Sequence, residues 1–161
     1  METEEDKAAF AALLDDICMD MARRIASDGE GATHLMVVEA YGLPTEKDAK
    51  LVARSIAGST LFKAALFGKD ANWGRILCAI GYTPGDFSID KVCVWLSSAA
   101  GEVYVCENAA YHPFSEEQAA QVLSQRDILV KVDMGLGDAE AKAWGCDLTY
   151  DYVRINGDYR T

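Results

Sequence analysis

Ile128-Leu129-Val130-Lys131-Val132-Asp133, then Gly135-Leu136-Gly137-Asp138, then Ala139-Glu140-Ala141-Lys142-Ala143-Trp144 is the stretch that decides the fold class. Ile128, Val130 and Val132 alternate with Leu129, Lys131 and Asp133, the two-residue period of a strand. Two glycines and an aspartate turn the chain before the second run, which predicts a β-hairpin. A second hairpin is predicted where Lys91–Leu96 and Val103–Cys106 flank Ser98-Ala99-Ala100-Gly101. Two hairpins among helical segments break any strict βαβ alternation. The expected fold is therefore α+β, with helices layered on a mixed or antiparallel sheet.

Outward from that stretch, helices announce themselves by period and cap. Phe10, Leu14, Ile17, Met21 and Ile25 form one helical stripe that Ser27-Asp28-Gly29 ends. Leu35-Met36-Val37-Val38 is a short apolar run that predicts a buried strand, broken by Gly42-Leu43-Pro44, the best position for a boundary. Thr45 can cap a helix with Ala49, Val52, Ala53 and Ile56 on one face and Gly58 at its end. Thr60–Phe67, apolar except for Lys63, reads as a strand, and Asn72 caps a short helix closed by Gly81. Ser115-Glu116-Glu117-Gln118 has the form of a capping box opening a helix to about Leu123. Asp147 is expected to cap a last helix presenting Leu148, Tyr152 and Ile155, stopped by Asn156-Gly157.

Half of the 161 residues are hydrophobic, enough for a real core. A net charge of −11 argues against nucleic acid or an anionic membrane as partner. No segment reaches the ~20 apolar residues of a membrane helix, and Met1-Glu2-Thr3-Glu4-Glu5-Asp6 is the reverse of a basic secretory leader, so a cytoplasmic location is expected. Five scattered cysteines without a C-x-x-C pair read as free thiols, and two histidines without a His/Cys cluster give no support to zinc.

Three sets of residues stand out as chemistry. Glu30 lies between Gly29 and Gly31, which allow positive φ and close approach of a ligand. Such a glutamate either binds an ammonium group or is a solvated turn residue; a calcium loop lacks its ligand series here. Asn156 and the last residue, Thr161, offer an amide and a hydroxyl to a substrate carboxylate or acetyl group, although Asn156 is equally a helix C-cap. Asn72-Trp73-Gly74-Arg75 either presents amides and a guanidinium to an anion, or is a cap, a buried Trp and a locally paired Arg. Three lures carry less. Gly135-Leu136-Gly137 is half a dinucleotide fingerprint, Thr60-Leu61-Phe62-Lys63 has nucleophile-x-x-Lys spacing without companions, and His34 is a lone histidine at a strand start.

The islands Asp28-Gly29-Glu30-Gly31-Ala32-Thr33, Asn72-Trp73-Gly74-Arg75-Ile76 and Gly145-Cys146-Asp147-Leu148-Thr149-Tyr150, with the tail to Thr161, resemble the C-terminal, beta-chain part of the bifunctional ornithine acetyltransferase / N-acetylglutamate synthase family of arginine biosynthesis. The similarity runs from about Phe10 to Thr161. His34, where the family usually has lysine, and Ala71, where it usually has proline, depart from the pattern.

The resemblance implies acetyl transfer from N-acetylornithine to glutamate through a threonine nucleophile freed by self-cleavage. That threonine and its oxyanion hole are expected upstream of Met1, so no catalytic residue is expected within the chain and the chain alone is expected to be inactive. Glu30, Asn156 and Thr161 match the family's substrate contacts. Residues 1–44 would end the catalytic-domain portion and 45–161 would form a C-terminal subdomain. The first helix and first strand would continue a sheet and core begun upstream, leaving an apolar surface. No cofactor or metal is implied, except that bifunctional members also take acetyl-CoA as donor. The implied partners are the N-terminal portion, the two small substrates, and further copies in a hetero- or homo-oligomer. The alternatives are a docking subunit of a split enzyme and a non-catalytic small-molecule-binding remnant.

Overall fold

A computed structural model describes residues 3–159. Helix α1 (Glu4–Ser27) precedes strand β1 (Leu35–Leu43), followed by helices α2 (Glu46–Gly58), α3 (Thr60–Phe67) and α4 (Trp73–Gly81). Strands β2 (Cys93–Ser98), β3 (Gly101–Glu107) and β4 (Ala110–Tyr111), helix α5 (Glu116–Val122), strands β5 (Asp127–Asp133) and β6 (Ala139–Cys146) and helix α6 (Tyr150–Asp158) complete the chain. The strands form one mixed sheet in the order β4-β3-β2-β5-β1-β6, so the expected α+β class with helices on a mixed sheet is the observed one.

Alternation sorts the sheet into two faces. Met36, Val38 and Ala40 pair across β1 with Ile128, Val130 and Val132 of β5, and Val38 also pairs with Ala143 of β6. With Val94 and Leu96 of β2 they are buried, in one core with Val52, Ala53 and Ile56 of α2 and Phe62 of α3. Fully burying a Val, Ile, Leu, Met or Phe among them stabilises by about 1.5–3 kcal/mol each. The opposite face carries Glu39, Lys131 and Lys142, tied at 2.7 Å as Lys142–Glu39 and Lys131–Glu102.

Several sequence expectations need correction. The stretch 128–144 does form two strands, but they are not a hairpin: β1 lies between them, parallel to β5 and antiparallel to β6. The connecting residues step over the end of β1, where Met134 N donates to Tyr41 O and Leu136 N to Gly42 O. Gly42 has φ +73, and a Cβ there would meet Asp133 Oδ1 and lie 2.8 Å from Gly135 N. Consequently β1 is an interior strand rather than an edge awaiting an upstream sheet, and α2, which follows it, packs against it.

Thr60–Phe67 is helix α3, not a strand. The Ser59 side chain accepts from Phe62 N to cap it, and Phe62, Ala65 and Leu66 are buried at helical spacing. The Ser115 half of the capping box forms, with Ser115 Oγ accepting from Gln118 N, while the Gln118 amide donates instead to Glu102 O. Thr149, not Asp147, caps α6. The stripe on α1 is helical, yet no residue of α1 is buried, and Phe10, Leu14, Ile17, Met21 and Ile25 are all exposed.

Candidate functional site

Glu30 sits in the turn between α1 and β1, and Asn156 in the last helix, 126 residues away; the fold joins them. Asn156 Nδ2 donates to Glu30 Oε2 at 2.9 Å and to Tyr152 O at 2.9 Å. With both amide hydrogens committed, Asn156 has only its Oδ1, an acceptor, left to offer, and Glu30 keeps its second carboxylate oxygen. Both residues are exposed, so a ligand can reach them. Asn156 lies inside α6, which rules out the C-cap alternative. Thr161, the third residue expected here, lies outside the described residues.

The flanking glycines act through close packing. Gly31 has φ +65, and a Cβ there would stand 2.8 Å from Asp151 Cβ and 3.1 Å from Tyr152 N. The first turn of α6 is thus laid directly on the loop, and only glycine admits it. A Cβ at Gly29 would meet Cys146 Sγ at 2.6 Å. Thr149 adds a tie: its Oγ1 donates to Gly31 O at 2.8 Å while accepting from Tyr152 N at 3.1 Å.

Beneath this contact lies a network that sequence reasoning missed. The side chain of Asp147 is fully buried. Its Oδ1 accepts from Thr33 N at 2.8 Å and His34 N at 3.0 Å; its Oδ2 accepts from Thr33 Oγ1 at 2.5 Å and faces His34 Nδ1 at 2.8 Å. Burial by itself pushes this carboxyl up, but the hydrogen bonds from the His34 and Thr33 side chains and backbones prevail and hold it at about 2. The other ring nitrogen, His34 Nε2, lies 3.1 Å from Leu123 O at the end of α5. The signal was present as a buried-type acid and a lone histidine at the two ends of paired strands, but their register, with Leu35 opposite Cys146, was needed to see them meet.

The Asn72 island takes the structural alternative. The Asn72 side chain accepts from Arg75 N as a cap, and Arg75 Nη1 donates to Leu61 O at 2.7 Å rather than facing a ligand. An adjoining cleft of about 320 Å³ is lined by Asp70, Trp73, Tyr111, Phe114 and Glu116; two carboxylates make it unsuited to an anion. Gly135-Leu136-Gly137 is the connection over β1, and Thr60 starts a helix. The five cysteines carry free thiols, and no group of three His, Cys, Asp or Glu that could hold a metal occurs among the described residues. None of the described helices is long and apolar enough to cross a membrane.

Known proteins match this arrangement. The chain is 52% identical over 152 residues to the arginine biosynthesis bifunctional protein ArgJ of Caldanaerobacter subterraneus subsp. tengcongensis, covering 94% of this chain and 38% of that protein. It is 47% identical over 152 residues to the glutamate N-acetyltransferase of Methanopyrus kandleri, covering 94% of this chain and 39% of that protein. The chain thus spans about two-fifths of the length of the curated relatives it matches. The crystal structure of the arginine biosynthesis bifunctional protein ArgJ from Bacillus halodurans superimposes with a TM-score of 0.89 at 42% identity, covering 98% of this chain and 73% of that one. The ArgJ family model matches residues 1–161, and the chain belongs to the ArgJ family.

Proposed function

We propose that this chain is the C-terminal portion of a glutamate N-acetyltransferase, which moves an acetyl group from N-acetylornithine to glutamate. The observation that carries this reading is the Glu30–Asn156 contact, which joins an exposed carboxylate in the glycine loop to an exposed side-chain amide near the other end of the chain. A carboxylate accepts from ammonium and amine groups, and both substrates are amino acids that carry such groups. Thr161 joins Glu30 and Asn156 in this reading, contributing a hydroxyl from the tail.

The chemistry itself belongs to the N-terminal portion, whether that is a separate chain or the rest of a longer one. Its threonine hydroxyl attacks the acetyl carbonyl while the threonine's own amine takes the proton; the C–N bond of N-acetylornithine breaks and ornithine leaves with that proton. Glutamate's amine then attacks the acyl-threonine ester, the ester C–O bond breaks, and the amine's proton passes by way of the threonine's own amine to the departing oxygen, which restores the hydroxyl. Glu30 and Asn156 hold the amino acid in both halves of the exchange, and acetyl-CoA can replace N-acetylornithine as donor without altering that role. The exposed stripe of α1 is the surface on which the N-terminal portion seats, and the location is cytoplasmic.

Co-expression with a family N-terminal portion, followed by an acetyl-transfer assay with N-acetylornithine and glutamate, tests the proposal. Turnover is expected from the pair and not from the 161-residue chain by itself. A soluble, stable complex without turnover would overturn the reading.

A further inference from the structure

We propose that Asp147 is the positioning residue of the Glu30–Asn156 site, a buried pin that holds the glutamate's loop against the asparagine's helix. The proposal rests on the substrate-binding reading above. Residues 28–34 have no strand partner before Leu35, and a loop containing two glycines has much freedom to lose on ordering. Something must fix it, and four contacts converge on one carboxylate: the backbone N–H groups of Thr33 and His34, the Thr33 hydroxyl and the His34 ring.

Asp147 lies at the junction of β6 and α6, two residues before Thr149, which caps the helix and grips Gly31 O. Thr33 stands three residues after Glu30 on one side of the pin, and Asn156 rides on α6 on the other. Displacement of Asp147 therefore moves the two halves of the site independently. Full burial keeps its side chain from touching a ligand, so its effect passes through Glu30 and Asn156.

His34 completes the pin from below. One ring nitrogen faces Asp147 Oδ2 and the other faces Leu123 O, so the ring bridges the pin to the end of α5. A buried carboxylate that loses one of its four contacts is held less firmly, so removal of the ring should release the loop. A lysine at 34 can supply a side-chain donor to the carboxylate again.

The test uses the 161-residue chain first. Nitrogen-resolved NMR follows the Asn156 side-chain amide, with its position in Glu30→Ala defining the unbonded state; exchange protection at Val38 and Val130 reports that the core is folded. In Asp147→Ala the Asn156 resonance should move to the unbonded position while the core stays protected. A folded Asp147→Ala with the wild-type resonance overturns the proposal. Should that variant lose its core protection, His34→Leu and His34→Lys decide: the leucine variant should show the unbonded resonance and the lysine variant the wild-type one, and identical spectra for both overturn the pin. In the reconstituted enzyme, His34→Leu should raise KM roughly tenfold with kcat within about twofold, and His34→Lys should restore it. A fall in kcat at unchanged KM contradicts positioning. An inactive wild-type complex would refute the function above, while the NMR comparison still decides the pin.

Discussion

Acid should weaken this protein through Asp147, and the size of the effect follows from its surroundings. The perturbation is Asp147→Asn, compared with wild type from about pH 7 down to about pH 2. In the folded chain the burial penalty is outweighed by hydrogen bonds from His34 and Thr33, and the carboxyl sits at about 2 against an ordinary 3.8. Because the folded value lies below the unfolded one, the unfolded chain takes up the proton first. The stabilisation is therefore present in full above the unfolded value and is lost as pH falls through the folded one. The difference amounts to about 2.5 kcal/mol, a sizeable share of the ~5–15 kcal/mol that keeps a domain folded. Urea unfolding followed by tryptophan fluorescence gives both stabilities at each pH, and titration of distant carboxylates cancels in the difference between the two proteins. That difference should shrink by about 2 kcal/mol between pH 5 and pH 2, where the folded carboxyl is about half protonated. A difference that stays flat over this range would refute the reasoning, because it would mean that the hydrogen bonds do not favour the ionised form.

Three further outcomes are expected. In a reconstituted enzyme, Glu30→Gln should weaken amino-acid binding by about 1.5–3 kcal/mol, measured by calorimetry; unchanged affinity returns Glu30 to the role of a turn residue. Gly31→Ala should lower stability by at least the ~1–2 kcal/mol of left-handed backbone at φ +65, with the clash against Asp151 added, whereas Gly157→Ala, whose Cβ meets nothing within 4 Å, should leave it unchanged or raise it by about 0.5–1 kcal/mol. Thermal melts that rank the two alike contradict this. Ile17→Glu, at a side chain 56% exposed, should alter the chain's own stability by no more than about 0.5 kcal/mol and yet reduce co-purification with the N-terminal portion; the opposite pattern would place Ile17 in the chain's own core.

Local chemistry made most elements legible. The caps at Thr45, Asn72 and Ser115 each accept the amide proton expected of them, and the alternation of Ile128, Val130 and Val132 marks a buried face. What failed were non-local choices. Thr60–Phe67 is apolar enough for either element, and the Ser59 cap together with the docking of Phe62 against the core decides for helix. The connection through Gly135 looked like a hairpin turn because glycines favour reversal of the chain, whereas here they clear the end of a third strand. A strand that began some ninety residues earlier is inserted between the two, and no local signal in 128–144 records that insertion.

The site shows the same division more sharply. Gly29-Glu30-Gly31 declares a tight loop, but its purpose, to admit the first turn of α6, depends on a segment at the other end of the chain. Asp147 was read as a helix cap from its neighbours, yet Thr149 takes that position, because the antiparallel register of β1 and β6 delivers Asp147 to the start of β1. Once there, it meets two backbone donors that have no ladder partner and a histidine whose other ring nitrogen faces Leu123 O. Insertion of β1 between β5 and β6 is what makes this possible: had 128–144 been a hairpin, β6 would have paired with β5 and its end would have carried α6 away from the glycine loop. The topology that sequence patterns misread is thus the physical reason that Glu30 and Asn156 share a hydrogen bond.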